Sequence, residues 1–220
     1  MNIMKTTGKK YDAHYMTGLA LMSAIVILLA STPLGMIQLP VIKATTTHIP
    51  VILGAILMGP LAGCILGGVF GICSVISNTF TPTLLSFAFS PFMSITGLSG
   101  ALKALWIAVG CRVMIGLVSG WLWIGLKKLK FNDMAALPIV GFLGSMTNTV
   151  CVMGSIYILF AQQYAEARQV AMSAVFGMIM GTVTGAGVME ALAALVLVTA
   201  IGKALLRFTP AVIRGFSRAA

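Results

Sequence analysis

The chain has 220 residues, of which 59% are hydrophobic and only 8% charged, yet its net charge is +10. That composition excludes a soluble globular domain and points to an all-α integral membrane protein that crosses the bilayer several times. It leaves no room for a separate soluble domain, and the position of the basic residues argues against nucleic acid.

Lys5, Lys9 and Lys10 precede the first apolar run, and Lys127, Lys128 and Lys130 sit together between two later ones. Lys203, Arg207, Arg214 and Arg218 follow the last. Lys and Arg accumulate on the cytoplasmic side. All three clusters share that side if the chain crosses six times, with both termini cytoplasmic. The expected architecture is therefore a cytoplasmic tail over 1–12, one six-helix transmembrane bundle over 13–203, and a basic cytoplasmic tail over 204–220. A first helix retained as a span is expected, because no A-x-A-like cleavage site follows Ala30.

The first span, Tyr15 to Ala30, carries Ala20-x-x-x-Ala24. Small residues four apart let another helix approach closely. That face serves either contact within the bundle or docking of a partner subunit. Ser31 to Pro50 follows, with three prolines and a β-branched run that disfavour a helix. Connections of this length are often lids or binding loops. Thr45, Thr46, Thr47 and His48 offer a dense set of hydrogen-bonding groups there, and His48 has no partner at metal-ligand spacing. Gly59-Pro60 predicts a tight turn between a short second span beginning at Val51 and a third running to about Ser77. Gly59, Gly63, Gly67 and Gly71 recur every four residues and predict a smooth packing face.

Asn78 to about Gly100 reads as a second outer loop, mixing Ser and Thr with Phe80, Phe87, Phe89 and Phe92 around Pro82 and Pro91. Such rings either lie at the membrane interface or cap a pocket; the prolines favour the cap. The fourth span, Ala104 to Leu126, holds Arg112. An arginine in a span faces the bundle interior or a wet cavity. It serves either as half of a structural ion pair with Glu190 or as a clamp for an anionic ligand, because a guanidinium matches a carboxylate in two-pronged fashion. Gly116-x-x-x-Gly120 below it is a packing motif.

Asp133 is a candidate helix cap. The fifth span, Ile139 to Phe160, carries Thr147-Asn148-Thr149 near its midpoint. Asparagine in hydrocarbon is costly unless it is hydrogen-bonded, so Asn148 is either glue between helices or a ligand contact. AQQYAEAR reads as a short loop. The last run, about Gln169 to Ile201, would be roughly 50 Å if helical, longer than a ~30 Å hydrocarbon core. It must tilt, protrude or break, and Gly177, Gly181, Gly185 and Gly187 suit either a break or very close packing. Glu190 falls in its deeper half.

The sequence has no P-loop, no H-E-x-x-H and no G-x-S-x-G, so this chain does not itself bind ATP by a P-loop, and a hydrolase has no familiar constellation to stand on. The four cysteines form no C-x-x-C pair and read as packing residues. No internal repeat suggests an inverted-repeat transporter.

Several stretches together resemble the membrane-embedded S-components of energy-coupling factor (ECF) vitamin transporters. They are the Ala20-x-x-x-Ala24 helix, ATTTHIPVILGAILMGP (Ala44 to Pro60), SFAFSPF (Ser86 to Phe92), RVMIGLVSG (Arg112 to Gly120) and GSMTNTVCVMGSIY (Gly144 to Tyr157). They look most like the pantothenate-specific branch, with Cys111 standing where that branch is expected to carry proline. The resemblance implies a non-enzymatic subunit, without cofactor or metal, in the cell membrane. It would capture a water-soluble vitamin from outside and release it inward by toppling with a T-component and two ATPases. The first-helix face would meet the T-component through Ala20 and Ala24. The two long outer loops, between helices 1 and 2 and helices 3 and 4, would act as lids. The candidate substrate contacts are Thr46, Thr47, His48, Phe89, Arg112, Thr147, Asn148 and Glu190, with Arg112 suited to the pantothenate carboxylate. An S-component for folate or cobalamin, a stand-alone channel and an intramembrane enzyme are the alternatives.

Overall fold

A computed structural model describes residues 13–33, 35–38, 43–94 and 97–208. The expected tail over 1–12, and the tail beyond residue 208 with Arg214 and Arg218, lie outside the described residues. The helices are α1 (Ala13–Ala30), α2 (His48–Met58), α3 (Pro60–Phe80), α4 (Gly97–Leu105), α5 (Cys111–Lys128), α6 (Asp133–Arg168), α7 (Met172–Thr182) and α8 (Val188–Phe208). A π-helical turn, Trp106–Gly110, joins α4 to α5, and another, Val183–Gly187, joins α7 to α8. Residue 203 does not end the last helix, which continues to Phe208.

Among the described residues four helical stretches are long and apolar enough to cross a membrane: Pro60–Phe80, Gly97–Lys128, Asp133–Arg168 and Met172–Arg207. Tyr15–Ala30 is shorter, and α2 is shorter still at 11 residues. Eleven residues rise only about 16 Å, so α2 cannot cross ~30 Å of hydrocarbon alone. It is preceded by an antiparallel hairpin of β1 (Met36–Gln38) and β2 (Lys43–Thr45), with Met36 opposite Thr45. The first long connection is thus less irregular than its prolines imply. Pairing satisfies backbone groups in residues whose β-branching favours strands. α2 is buried along almost its whole length and packs against α1, α3, α5, α6 and α8, which makes it the centre of the bundle.

The glycine face predicted on α3 is the seam between α3 and α5. A Cβ on Gly63 would meet the Gly116 carbonyl at 2.7 Å, and one on Gly71 the Ala108 carbonyl at 2.7 Å. A Cβ on Gly67 would overlap the Arg112 carbonyl, and Gly120 lies against Pro60. Gly59 turns the chain from α2 into α3 with φ 93°, a left-handed conformation open to glycine. This turn, the α5–α6 turn and the end of α8 share one end of the bundle, where Gly202 packs on Leu137 and Leu53. Lys127, Lys128 and Lys203 lie at that basic end.

Three local expectations change. AQQYAEAR is not a loop: α6 continues through it to Arg168 after a break at Phe160 (φ −138°, ψ 24°). Its Ala, Gln, Glu and Arg residues are good helix formers, and Gln162 bonds Glu166 one turn on. The cap of α6 is Asn132, which accepts from the Met134 amide. Asp133 instead pairs with Lys127 at 2.5 Å, half-exposed, a geometry that adds little stability. The last apolar run does not break: it passes through a π turn containing Gly185 and Gly187, and of the four glycines Gly187 packs closely, where a Cβ would meet Thr149 at 2.6 Å. All four cysteines are free, and Cys111 is buried.

Candidate functional site

The four phenylalanines of the second long connection separate into two pairs. The segment folds as two 3-10 turns, Ser86–Ala88 and Pro91–Met93. Phe87 and Phe89 turn inward and are buried, whereas Phe80 and Phe92 are 80% and 81% exposed. The inner rings join Ile107, Val152, Met153, Ile156, Phe160 and Tyr164 in an apolar cluster at the end opposite the basic residues. Phe87 meets Phe160 edge to face at 5.8 Å, at the break in α6. The segment thus divides into two buried rings and two exposed ones.

Beside this cluster lies a cavity of about 50 Å³. Arg112 and Phe89 line it from the α5 side, Asn148, Thr149, Val152 and Met153 from α6, and Glu190 with Gly187 from the start of α8. Thr45 reaches it from the hairpin, and Ser74 and Asn78 from α3. Arg112 is buried between two rings, with its guanidinium carbon 5.4 Å from the Phe70 centroid and 5.1 Å from the Phe89 centroid. Cation–π contact compensates part of the cost of burying that charge. Its Nη1 donates to the Ile107 carbonyl at 2.8 Å, and its Nε is buried without a partner. Ile107 lies in the π turn, where a helical carbonyl is released for such a bond. The turn aims the side chain away from the basic end. Counting from Gly97, Arg112 also lies farther into its helix than the span starting at Ala104 implies.

The expected alternative for Arg112, an ion pair with Glu190, is absent. Among the described residues the ion pair within 4 Å is Lys127–Asp133. Glu190 instead accepts from the Thr45 amide at 3.3 Å, tying the hairpin to α8. Glu190 thus lines the same cavity as Arg112. Asn148 is 6% exposed, and its Oδ1 is buried without a hydrogen-bond partner. The carbonyl oxygen is thus not spent on gluing helices. Opposite needs meet here: an unfilled donor on Arg112, and acceptors on Asn148 and Glu190.

Phe89, Arg112, Asn148 and Glu190 are thus brought together, and Thr46, Thr47, His48 and Thr147 are not. Thr47 donates to the Gly35 carbonyl at 2.9 Å, closing the base of the hairpin, and His48 is buried in the first turn of α2. Thr147 bonds back to the Leu143 carbonyl at 2.7 Å on the outer side of α6. Thr149 takes its place at the cavity, and Thr45 stands there for its neighbours. Asn78 and Ser74 carried no signal in the sequence beyond lying where a helix gives way to a loop. Ala20 and Ala24 are exposed on α1, on the side away from the bundle.

Residues 14–202 match the family described as ECF transporter, substrate-specific component. The Pantothenic acid transporter PanT of Lactococcus lactis subsp. cremoris (strain MG1363) is 33% identical over 165 residues, 74% of this chain and 78% of that protein. With a polar cavity enclosed by apolar helices and a match along nearly its whole described length, the chain belongs to the substrate-specific components of ECF transporters.

Proposed function

We propose that this chain captures pantothenate from outside the cell and delivers it inward as the substrate-binding subunit of an ATP-driven importer. One observation carries the reading beyond the family likeness: a buried guanidinium with no ion pair and an unpartnered Nε lines the cavity. An arginine so desolvated calls for an anion. Pantothenate supplies a carboxylate for Arg112, and an amide N–H and two hydroxyls for the acceptors on Asn148 and Glu190. Phe89, Val152 and Met153 offer apolar surface to its gem-dimethyl group. The similarity to PanT supports the same ligand.

The chain sits in the cell membrane with both termini cytoplasmic, and the hairpin and α2 together make one of six crossings. The positive charge of the α5–α6 turn and the α8 end supports that orientation. The cavity then opens toward the outside. A T-component and two ATPases complete the importer, and hydrolysis takes place on the ATPases. The test is calorimetric titration of the purified chain with pantothenate, folate and cobalamin. Tight binding of pantothenate alone is expected; preference for another vitamin would overturn the assignment.

At about 50 Å³ the cavity is far below the roughly 300–1,000 Å³ of small-molecule sites. Its walls must part to admit a vitamin and close again over it. The hairpin and the phenylalanine segment are the lids, since both line the cavity and neither is a long helix. Hydrogen exchange over Thr45 to His48 and Phe87 to Phe92 should slow when pantothenate is bound. Unchanged exchange in both segments would put the ligand elsewhere.

Ala20 and Ala24 form the face that meets the T-component. Replacing both by leucine should abolish co-purification with the T-component, because the helices can no longer approach. Pantothenate binding by the isolated chain should survive. Loss of binding with assembly intact would reverse the roles given to this face and the cavity.

A further inference from the structure

Phe89 lies over Arg112, and its segment is tied to α3 by two side-chain hydrogen bonds. Asn78, 4% exposed, donates to the Ser74 carbonyl at 2.9 Å. Its Oδ1 accepts from Ser86 Oγ at 2.9 Å, and Ser86 Oγ in turn accepts from the Thr83 amide at 2.8 Å. One residue further along α3, Thr79 Oγ1 bonds Ser90 Oγ at 2.8 Å. Ser86 and Ser90 are both fully buried, and they bracket Phe87 and Phe89. Two consecutive residues of one helix thus grip the segment on either side of the ring that lies 5.1 Å from the guanidinium.

Asn78 borders the cavity, yet its Oδ1 and Nδ2 are both engaged by the protein. That separates it from Asn148, whose Oδ1 is free. We propose that Asn78 and Ser86 are positioning residues that hold Phe89 over Arg112 and so set how tightly the site grips a carboxylate. The proposal rests on the carboxylate role of Arg112. A ring over the guanidinium excludes water and strengthens its bond to an anion. Without the hold, the segment samples other registers and the guanidinium is hydrated.

Ser86→Ala removes the hydroxyl at the centre of the network. Hydrogen exchange of the ligand-free chain reads the hold itself: amides from Ser86 to Ser90 should exchange faster in Ser86→Ala. Unchanged exchange would overturn the proposal whatever the ligand. Titration then separates positioning from general loosening. Pantothenate should bind about tenfold more weakly, the scale of one lost buried hydrogen bond. The corresponding alcohol, pantothenol, should lose less than about twofold by the same reasoning. In a Phe89→Leu background Ser86→Ala should add little further loss for pantothenate. Equal losses for acid and alcohol, or an undiminished effect without Phe89, would overturn it. Should Ser86→Ala fail to give a monodisperse protein, Thr79→Val on the second tie is expected to show the same pattern. Failure of the unaltered chain to bind pantothenate would instead refute the proposed ligand, and the exchange measurement would still decide the hold.

Discussion

Replacing Arg112 with lysine is expected to weaken pantothenate binding by roughly 1–3 kcal/mol, and replacing it with methionine by more. Lysine keeps the charge but loses the planar fork that can bond the Ile107 carbonyl and still meet a carboxylate with two parallel donors. Its ammonium is also more strongly hydrated than a guanidinium, so it gains less between Phe70 and Phe89. Asn148→Leu should weaken binding comparably, by deleting a buried acceptor that the protein leaves unpartnered. The sharper experiment combines Arg112→Met with Glu190→Gln. Neither residue is the other's ion-pair partner, so removing both charges does not repair the site. The double variant should remain monodisperse in detergent and lose pantothenate. Normal affinity in that variant would end the carboxylate-clamp role and leave Asn148 as the remaining intramembrane contact.

The parts of this site that were legible in the sequence are those where chemistry conflicts with surroundings. Arg112, Asn148 and Glu190 stand out because a charge or an amide in apolar sequence must be answered by something. Which threonine faces inward was not legible. Successive helix residues point about 100° apart, so Thr147 and Thr149 exchange roles with the rotation of α6, and that rotation is set by packing against α5 and α8. The phenylalanines posed the same problem: Phe80, Phe87, Phe89 and Phe92 are alike in sequence and are sorted by two 3-10 turns. The glycine repeat of α3 was legible as a seam, but its partner was not. AQQYAEAR was legible by helix propensity and was obscured by its charges. The shortness of α2 was legible from Gly59-Pro60, but the hairpin ahead of it was not, because its strands are three residues each and flanked by prolines.

Gly67→Ala is expected to destabilise the fold by about 1–3 kcal/mol, although alanine is the better helix former. The reason is local. A Cβ on Gly67 would overlap the Arg112 carbonyl and crowd the Val113 Cα, both of them backbone, which cannot rotate away. α3 and α5 would have to separate along the seam that Gly63, Gly71 and Gly116 also close. Its neighbour supplies the control: a Cβ on Gly68 would meet nothing within 4 Å, so Gly68→Ala should be neutral or stabilising by up to about 1 kcal/mol. The consequence for function follows from which carbonyl is struck. Arg112 is placed by its own backbone against Gly67 and by the Ile107 carbonyl one π turn back. Separating the helices moves the guanidinium from between Phe70 and Phe89, so Gly67→Ala should lose affinity as well as thermal stability, whereas Gly68→Ala should lose neither. Thermal unfolding in detergent and titration with pantothenate check the two effects separately. Equal melting points and equal affinities for the two variants would mean that the glycine seam does not hold Arg112 in place.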